Sequence, residues 1–252
     1  MSKLLAGGCS WTDPKFRTNI HPELDCSWPK WPELVIGDWD EVVNIAQGGA
    51  GLDHQIPMLM QYVMLNDDVS HIILQFSSWY RWRTPEGFYH NPTLALSKHN
   101  ERANSILKET LRPTLSRMNE IENFFPTTYK SVHLRIDNYL ILLSSLIELC
   151  IYKNIKFIGW QGLHFANSKK PNIDRAIYKY FVQHKLFHKL DNLYNSGKVD
   201  FLNWPLVDTM SDCMDKVLPK ENGFRISNYD SHPSKIGQKF IADWINQNAS
   251  TI

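Results

Sequence analysis

Along this chain short apolar runs that end in glycine or polar turns mark strands, and apolar positions recurring at a period near four mark helices. Leu4, Leu5 and Ala6 form a short apolar run that ends at Gly7-Gly8, the pattern of a buried strand entering a tight turn. A short helix over 32–36, stopped by Gly37, precedes a second strand over 41–45. Another glycine turn, Gln47-Gly48-Gly49-Ala50-Gly51, follows that strand. Over 52–66, Ile56, Leu59, Met60, Val63 and Met64 recur at helical spacing and predict a crossover helix. A third strand over 71–76 ends in the polar pair Ser77-Ser78. Beyond residue 131 the pattern predicts a helix over 132–152, a strand over 155–160, an amphipathic helix over 174–193 and a fifth strand over 199–202. A terminal helix over 234–246 follows, with Ile236, Phe240, Ile241 and Trp244 on its inner side.

Strands alternating with helices predict a parallel sheet covered on both faces. The expected class is α/β, a flavodoxin-like three-layer αβα sandwich around a mainly parallel sheet of about five strands. Residues 79–126 interrupt the series with an aromatic and basic start, Trp79-Tyr80-Arg81-Trp82-Arg83, then one or two helices over 96–118 broken at Pro113. No internal repeat or linker cuts the chain, so a single domain over 1–252 with an elaborated insertion around 79–126 is expected.

Composition narrows the function classes. With 252 residues, 43% of them hydrophobic, the chain can bury a large core, and a formal net charge of +1 gives no general pull toward nucleic acid or an anionic membrane. Cys9, Cys26, Cys150 and Cys213 form no C-x-x-C pair, which points to free thiols in a reducing compartment rather than a zinc module. Leu5-Ala6-Gly7-Gly8-Cys9 superficially resembles a lipoprotein cleavage site, but the apolar run before it is too short for a signal-peptide core. No segment reaches the roughly 18 consecutive apolar residues of a membrane span. A cytoplasmic protein without a membrane span is expected.

Two stretches carry chemistry. Ser10 sits just past the first strand, at the sheet edge where open α/β folds keep their ligands. Near the other end, Asn228-Tyr229-Asp230-Ser231-His232-Pro233-Ser234 sets a carboxylate two residues before an imidazole, just ahead of a helix. A serine hydroxyl is a poor nucleophile until a base takes its proton, and the base works best when a third group fixes its tautomer. The plainer alternative is that Ser231 or Ser234 caps the last helix and His232 is incidental loop polarity.

Taken together, three blocks resemble the SGNH/GDSL hydrolases. Gly8-Cys9-Ser10-Trp11-Thr12 is similar to the first block, with Cys9 in place of the usual Asp. Asn44-Ile45-Ala46-Gln47-Gly48-Gly49 is similar to the second, and Asp230-Ser231-His232-Pro233 to the last, with one residue fewer between Asp and His. The family's third block, Gly-x-Asn-Asp, falls on Ser77-Ser78-Trp79-Tyr80, where Trp79 replaces the amide-bearing asparagine. The resemblance implies a serine esterase acting through an acyl-serine, with Ser10 as nucleophile, His232 as general base then acid, and Asp230 orienting it. It implies an oxyanion hole from the amides of Ser10 and Gly49, with Ser77 or Ser78 standing in for the lost asparagine. It implies no metal and no organic cofactor. The partner expected is a small-molecule or carbohydrate ester, O-acetyl groups foremost, with Trp11, Trp79 and Arg81 as candidate substrate contacts. A divergent third block also suits a phage-encoded or accessory member, and together with the short Asp-x-His spacing a non-catalytic binding or structural protein on the same fold; an acyltransferase using the same serine is a further alternative.

Other candidates weigh less. His184 and His188 share the spacing of a zinc-binding helix, but Lys185 stands where its glutamate would be, so solvated histidines are expected. Trp28, Trp31, Trp39, Trp79, Tyr80 and Trp82 fit a substrate platform and core packing equally well. Arg81, Arg83, Arg102 and Lys98 fit a solvated face better than an anion cleft. Cys9 is expected to point away from Ser10 into the interior.

Overall fold

A computed structural model describes residues 1–77, 82–83, 89–90, 132–163, 178–202, 213–219 and 223–250. Five strands form a parallel sheet: β1 (Lys3–Gly7), β2 (Glu41–Asn44), β3 (Val69–Phe76), β6 (Lys156–Gln161) and β7 (Asp200–Leu202), in the order β2-β1-β3-β6-β7. Between β3 and β6, β4 (Trp82–Arg83) and β5 (Tyr89–His90) pair antiparallel as a separate ribbon. The helices are α1 (Leu52–Leu65), α2 (Val132–Tyr152), α3 (Lys185–Asn195), the short α4 (Met214–Val217) and α5 (Lys235–Asn248).

The strand side chains sort themselves by parity into two cores. Leu5, Ile72, Leu74, Phe157 and Phe201 point to one face and pack with α1 residues Ile56, Leu59 and Val63 and α2 residues Ile136, Leu140, Leu143 and Ile147. Leu4, Ile73, Ile158 and Leu202 point to the other and pack with Trp31, Met214, Ile241, Ala242 and Ile245. A sheet buried on both faces needs apolar side chains at consecutive positions, which is why Leu4–Ala6 of β1, Ile72–Leu74 of β3 and Phe157–Trp160 of β6 run without alternation. The three-layer αβα sandwich expected from the sequence is the fold observed.

Several details differ from the sequence-based expectation. The helix expected over 32–36 is a single 3₁₀ turn, Trp31–Glu33, with Pro32 inside it. The helix expected over 174–193 is broken at His184, whose ring accepts a hydrogen bond from the Leu186 amide and so starts α3 as its N-cap. Ile236, expected to face inward, is exposed, as is Met64, one of the apolar positions that predict α1; the inner face of α5 is Gly237, Gln238, Ile241, Ala242 and Ile245. The helices expected over 96–118 lie outside the described residues.

In the order 2-1-3-4-5 that this parallel sheet follows, the direction in which successive strands are added reverses between β1 and β3, the switch point at whose C-terminal ends such folds open a crevice. Ser10 follows β1, Gly48-Gly49 follow β2 and Ser77 follows β3, so the crevice collects the turns that carry the candidate chemistry.

Candidate active site

The turn that presents Ser10 is built from the core outward. Past β1 the Cys9 carbonyl accepts the amides of Thr12 and Asp13, at 2.9 and 3.0 Å, folding residues 9–13 into a tight turn. Gly8 is required there, because a Cβ on it would collide with the Thr12 hydroxyl and lie 2.8 Å from Gln75 Oε1. Buried amide side chains then secure the turn from three elements. Gln55 Oε1, on α1, accepts the Gly8 amide at 3.1 Å. Gln75 Oε1, on β3, accepts the Thr12 hydroxyl at 2.5 Å, and that hydroxyl accepts the Trp31 indole N–H at 2.9 Å. Gln238, on α5, donates to the Trp11 carbonyl and accepts from the Trp31 amide, both at 2.9 Å. Asn44 Nδ2, at the end of β2, donates to the Thr12 carbonyl at 2.8 Å.

The glycine turn after β2 lies beside this one. A Cβ on Gly48 would sit 3.9 Å from Ser10 Cβ, and the Gly48 amide donates to Asp13 Oδ2 at 2.8 Å. Gly49 adopts φ +78°, a conformation that glycine takes without the Cβ penalty of other residues. His54 Nε2 lies 2.8 Å from Gln47 Oε1 and steadies the turn from α1. Among the described residues neither the Ser10 amide nor the Gly49 amide has an acceptor.

The third segment is the loop before α5. Arg225 and Pro233 form an isolated antiparallel bridge, the Ile226 amide donates to the His232 carbonyl at 2.9 Å, and Arg225 Nη1 donates to Asp215 Oδ1 at 2.9 Å. Ser234 caps α5 by accepting the Gly237 amide. The capping role weighed for Ser234 is therefore real.

Here the distant segments meet. His232 Nε2 lies 2.9 Å from Ser10 Oγ, and His232 Nδ1 lies 2.5 Å from Asp230 Oδ1. The two-residue spacing is enough because Asp230 also accepts the His232 amide, at 3.1 Å, which folds its carboxylate back under the ring. Asp230 is only 3% exposed, and its second oxygen accepts the Thr18 hydroxyl. Burial alone would raise the Asp230 pKa, but hydrogen bonding and attraction from the His232 ring, together with the Thr18 hydroxyl and the His232 amide, hold it below the usual carboxylate value. The Phe16 ring lies on His232, with centroids 4.3 Å apart, and covers one face of the imidazole.

The other sequence candidates fall elsewhere. Trp11, expected to touch substrate, is 2% exposed and packs in the core on the α5 side of the sheet; its indole is part of the interior, which corrects that expectation. Ser77 is buried and donates its hydroxyl to the Ala50 carbonyl at 3.2 Å, so that hydroxyl already has an acceptor. Ser78, Trp79 and Arg81 lie outside the described residues. Trp31 is wholly buried, and Trp39 stacks edge-on against His71 near the start of β3, at the end of the sheet away from Ser10. All four cysteines are buried free thiols, Cys9 among them in the core on the α5 side. His184 Nε2 faces Asp137 at 3.5 Å, and among the described residues no group of three His, Cys, Asp or Glu side chains converges as a metal site. No described helix is long and apolar enough to cross a membrane. Sequence reasoning missed Phe16, Thr18, Gln55, Gln75 and Gln238, none of which belongs to a recognisable motif.

No protein-family model matches the sequence, and no curated protein matches it. Among solved structures the chain is similar to TesA, at 11% identity and a TM-score of 0.50 over 98% of this chain and 97% of that one. It is also similar to a variant of Axe2, an acetyl xylan esterase from Geobacillus stearothermophilus, at 12% identity and a TM-score of 0.50 over 99% of this chain and 95% of that one. At such identities the likeness is one of fold, and it spans nearly the full length of all three chains.

Proposed function

We propose that this protein is a serine esterase that cleaves short acyl esters through an acyl-serine intermediate. The observation that carries the reading is the unbroken line Ser10 Oγ, His232 Nε2, His232 Nδ1, Asp230 Oδ1, with steps of 2.9 and 2.5 Å across the ring. These are hydrogen-bond distances at which the base can take the proton of the nucleophile while a third group fixes the base.

In this reading Ser10 Oγ attacks the ester carbonyl while His232 Nε2 takes its proton. The buried Asp230 carboxylate holds the proton on Nδ1, leaves Nε2 free to accept, and stabilises the imidazolium that forms. The amides of Ser10 and Gly49 face the developing oxyanion. His232 then protonates the departing alcohol, and the acyl group remains on Ser10 until water, activated by the same ring, releases it. Carbohydrate O-acetyl esters are the substrate class we place first, with support from the fold shared with an acetyl xylan esterase.

Hydrolysis of an aryl acetate, followed for the native chain and Ser10→Ala, tests the proposal. Turnover abolished by the substitution supports it. Equal rates for two equally folded proteins would refute it, and acyl transfer to a sugar with little hydrolysis would replace esterase with transferase.

A further inference from the structure

We propose that Thr18 is a positioning residue of this site, a fourth group in the hydrogen-bonded line that holds the Asp230 carboxylate in place for His232. The inference rests on the reading of Ser10, His232 and Asp230 as the reacting set.

The polarity of the contact is fixed by its surroundings. A threonine hydroxyl has one proton to give and two lone pairs to receive with. Thr18 Oγ1 receives the amides of Ile20 and His21, at 3.1 and 3.3 Å, so its lone pairs are engaged by the backbone of its own loop. Its single proton is left for Asp230 Oδ2, an oxygen that as part of a carboxylate can only accept. Thr18 is itself buried at 4% exposure, which keeps water from competing for the same oxygen.

The Asp230 oxygens thus divide their work. Oδ1 receives both nitrogens of His232, ring and backbone, while Oδ2 receives Thr18. A buried carboxylate with one oxygen unserved carries a desolvation cost and is free to rotate about its Cβ–Cγ bond. Rotation would withdraw Oδ1 from the ring and loosen the imidazole that faces Ser10. The loop that carries Thr18 also sets Phe16 on the imidazole and His21 Nε2 2.8 Å from the hydroxyl of Ser227, whose oxygen receives the Asp230 amide. Three residues of one irregular loop therefore grip the catalytic loop at three points, and Thr18 is the one that touches the charge.

The test uses Thr18→Val, nearly isosteric but without the hydroxyl, and Thr18→Ser, which keeps it. Loss of a hydrogen bond to a charged group predicts that kcat on an aryl acetate falls about ten- to a hundredfold in Thr18→Val. KM stays unchanged, and Thr18→Ser recovers most of kcat. The low-field proton resonance of His232 Nδ1 moves further downfield in Thr18→Val, because the carboxylate no longer shares its charge with the hydroxyl. A folded Thr18→Val with the native kcat and an unmoved resonance would overturn the proposal, as would a lower kcat that Thr18→Ser fails to restore. If Thr18→Val does not fold, a slowly exchanging Thr18 hydroxyl proton is expected in the native chain, and free exchange with water would overturn the bond. Should the native chain show no turnover at all, the esterase reading fails, while the resonance shift still decides the role of Thr18.

Discussion

The two turns that meet at the candidate site are held by opposite chemistries. The Ser10 turn is fixed by neutral groups, namely the buried Gln55, Gln75, Gln238 and Trp31 indole and the half-buried Asn44. The His232 loop is fixed by charge, through Asp230 beneath the ring and Arg225 against Asp215, with hydroxyls from Thr18 and Ser227 completing the shell. Ser10 is thus set by neutral hydrogen bonds and His232 by electrostatics. A neutral amide network keeps its geometry at any moderate pH, whereas a carboxylate–imidazole pair depends on its protonation. One half of the site should fail by mutation of the core, and the other also by acid.

The largest expected effect breaks both halves at their point of contact. Ser10→Ala or His232→Ala should lower kcat on an activated ester by up to about 10⁶, the scale on which nucleophile and base act as one unit. Steady-state rates on matched, folded samples check this. Next, Asp230→Asn should cost on the order of 10⁴ in kcat, because an amide can donate to Nδ1 and favour the wrong tautomer. Smaller again is Gly49→Ala, expected to cost about 10²–10³ in kcat with little change in KM, since a side chain at φ +78° strains the turn and swings the Gly49 amide away from the oxyanion.

Two stability measurements sharpen the contrast. Gln75→Leu leaves the Thr12 hydroxyl and the Cys9 amide without their acceptor and should destabilise the fold by about 1–3 kcal/mol, equally at pH 5 and pH 8. Asp230 behaves otherwise. Its folded-state pKa lies below the unfolded value, so its ionised form contributes stability above the unfolded pKa, and that contribution is lost as pH falls through the folded one. The difference in melting temperature between the native chain and Asp230→Asn should therefore shrink on acidification below about pH 4, near the unperturbed carboxylate pKa. A gap that stays constant with pH would place the Asp230 contribution in packing rather than charge.

The sheet was legible in the sequence because a parallel strand buried on both faces must be apolar at every position, and Leu4 to Ala6 or Ile72 to Leu74 admit little else. The outer faces of α1 and α5 were harder, since Met64 and Ile236 are apolar yet exposed and composition alone assigns them inward. At the site, Ser10, Gly49, Asp230 and His232 stood out because each lies in a short block at a predicted strand end or helix start. Trp11 misleads for the same reason: nearness in sequence to Ser10 suggests nearness to substrate, whereas the turn sends Cys9, Trp11 and Thr12 into the interior. Thr18, Phe16 and Gln238 were illegible because their partners are about two hundred residues away, and a residue in an irregular loop carries no periodicity that would announce its contact.

In the proposed reaction His232 makes Ser10 nucleophilic. Intact-protein mass spectrometry after treatment with a fluorophosphonate tests it most directly, with the adduct mapped by peptide sequencing. One phosphonyl group on Ser10 of the native chain is predicted, with none on Ser10→Ala and very slow labelling of His232→Ala. A folded native chain that takes up no label, or carries it on another residue, would contradict the account.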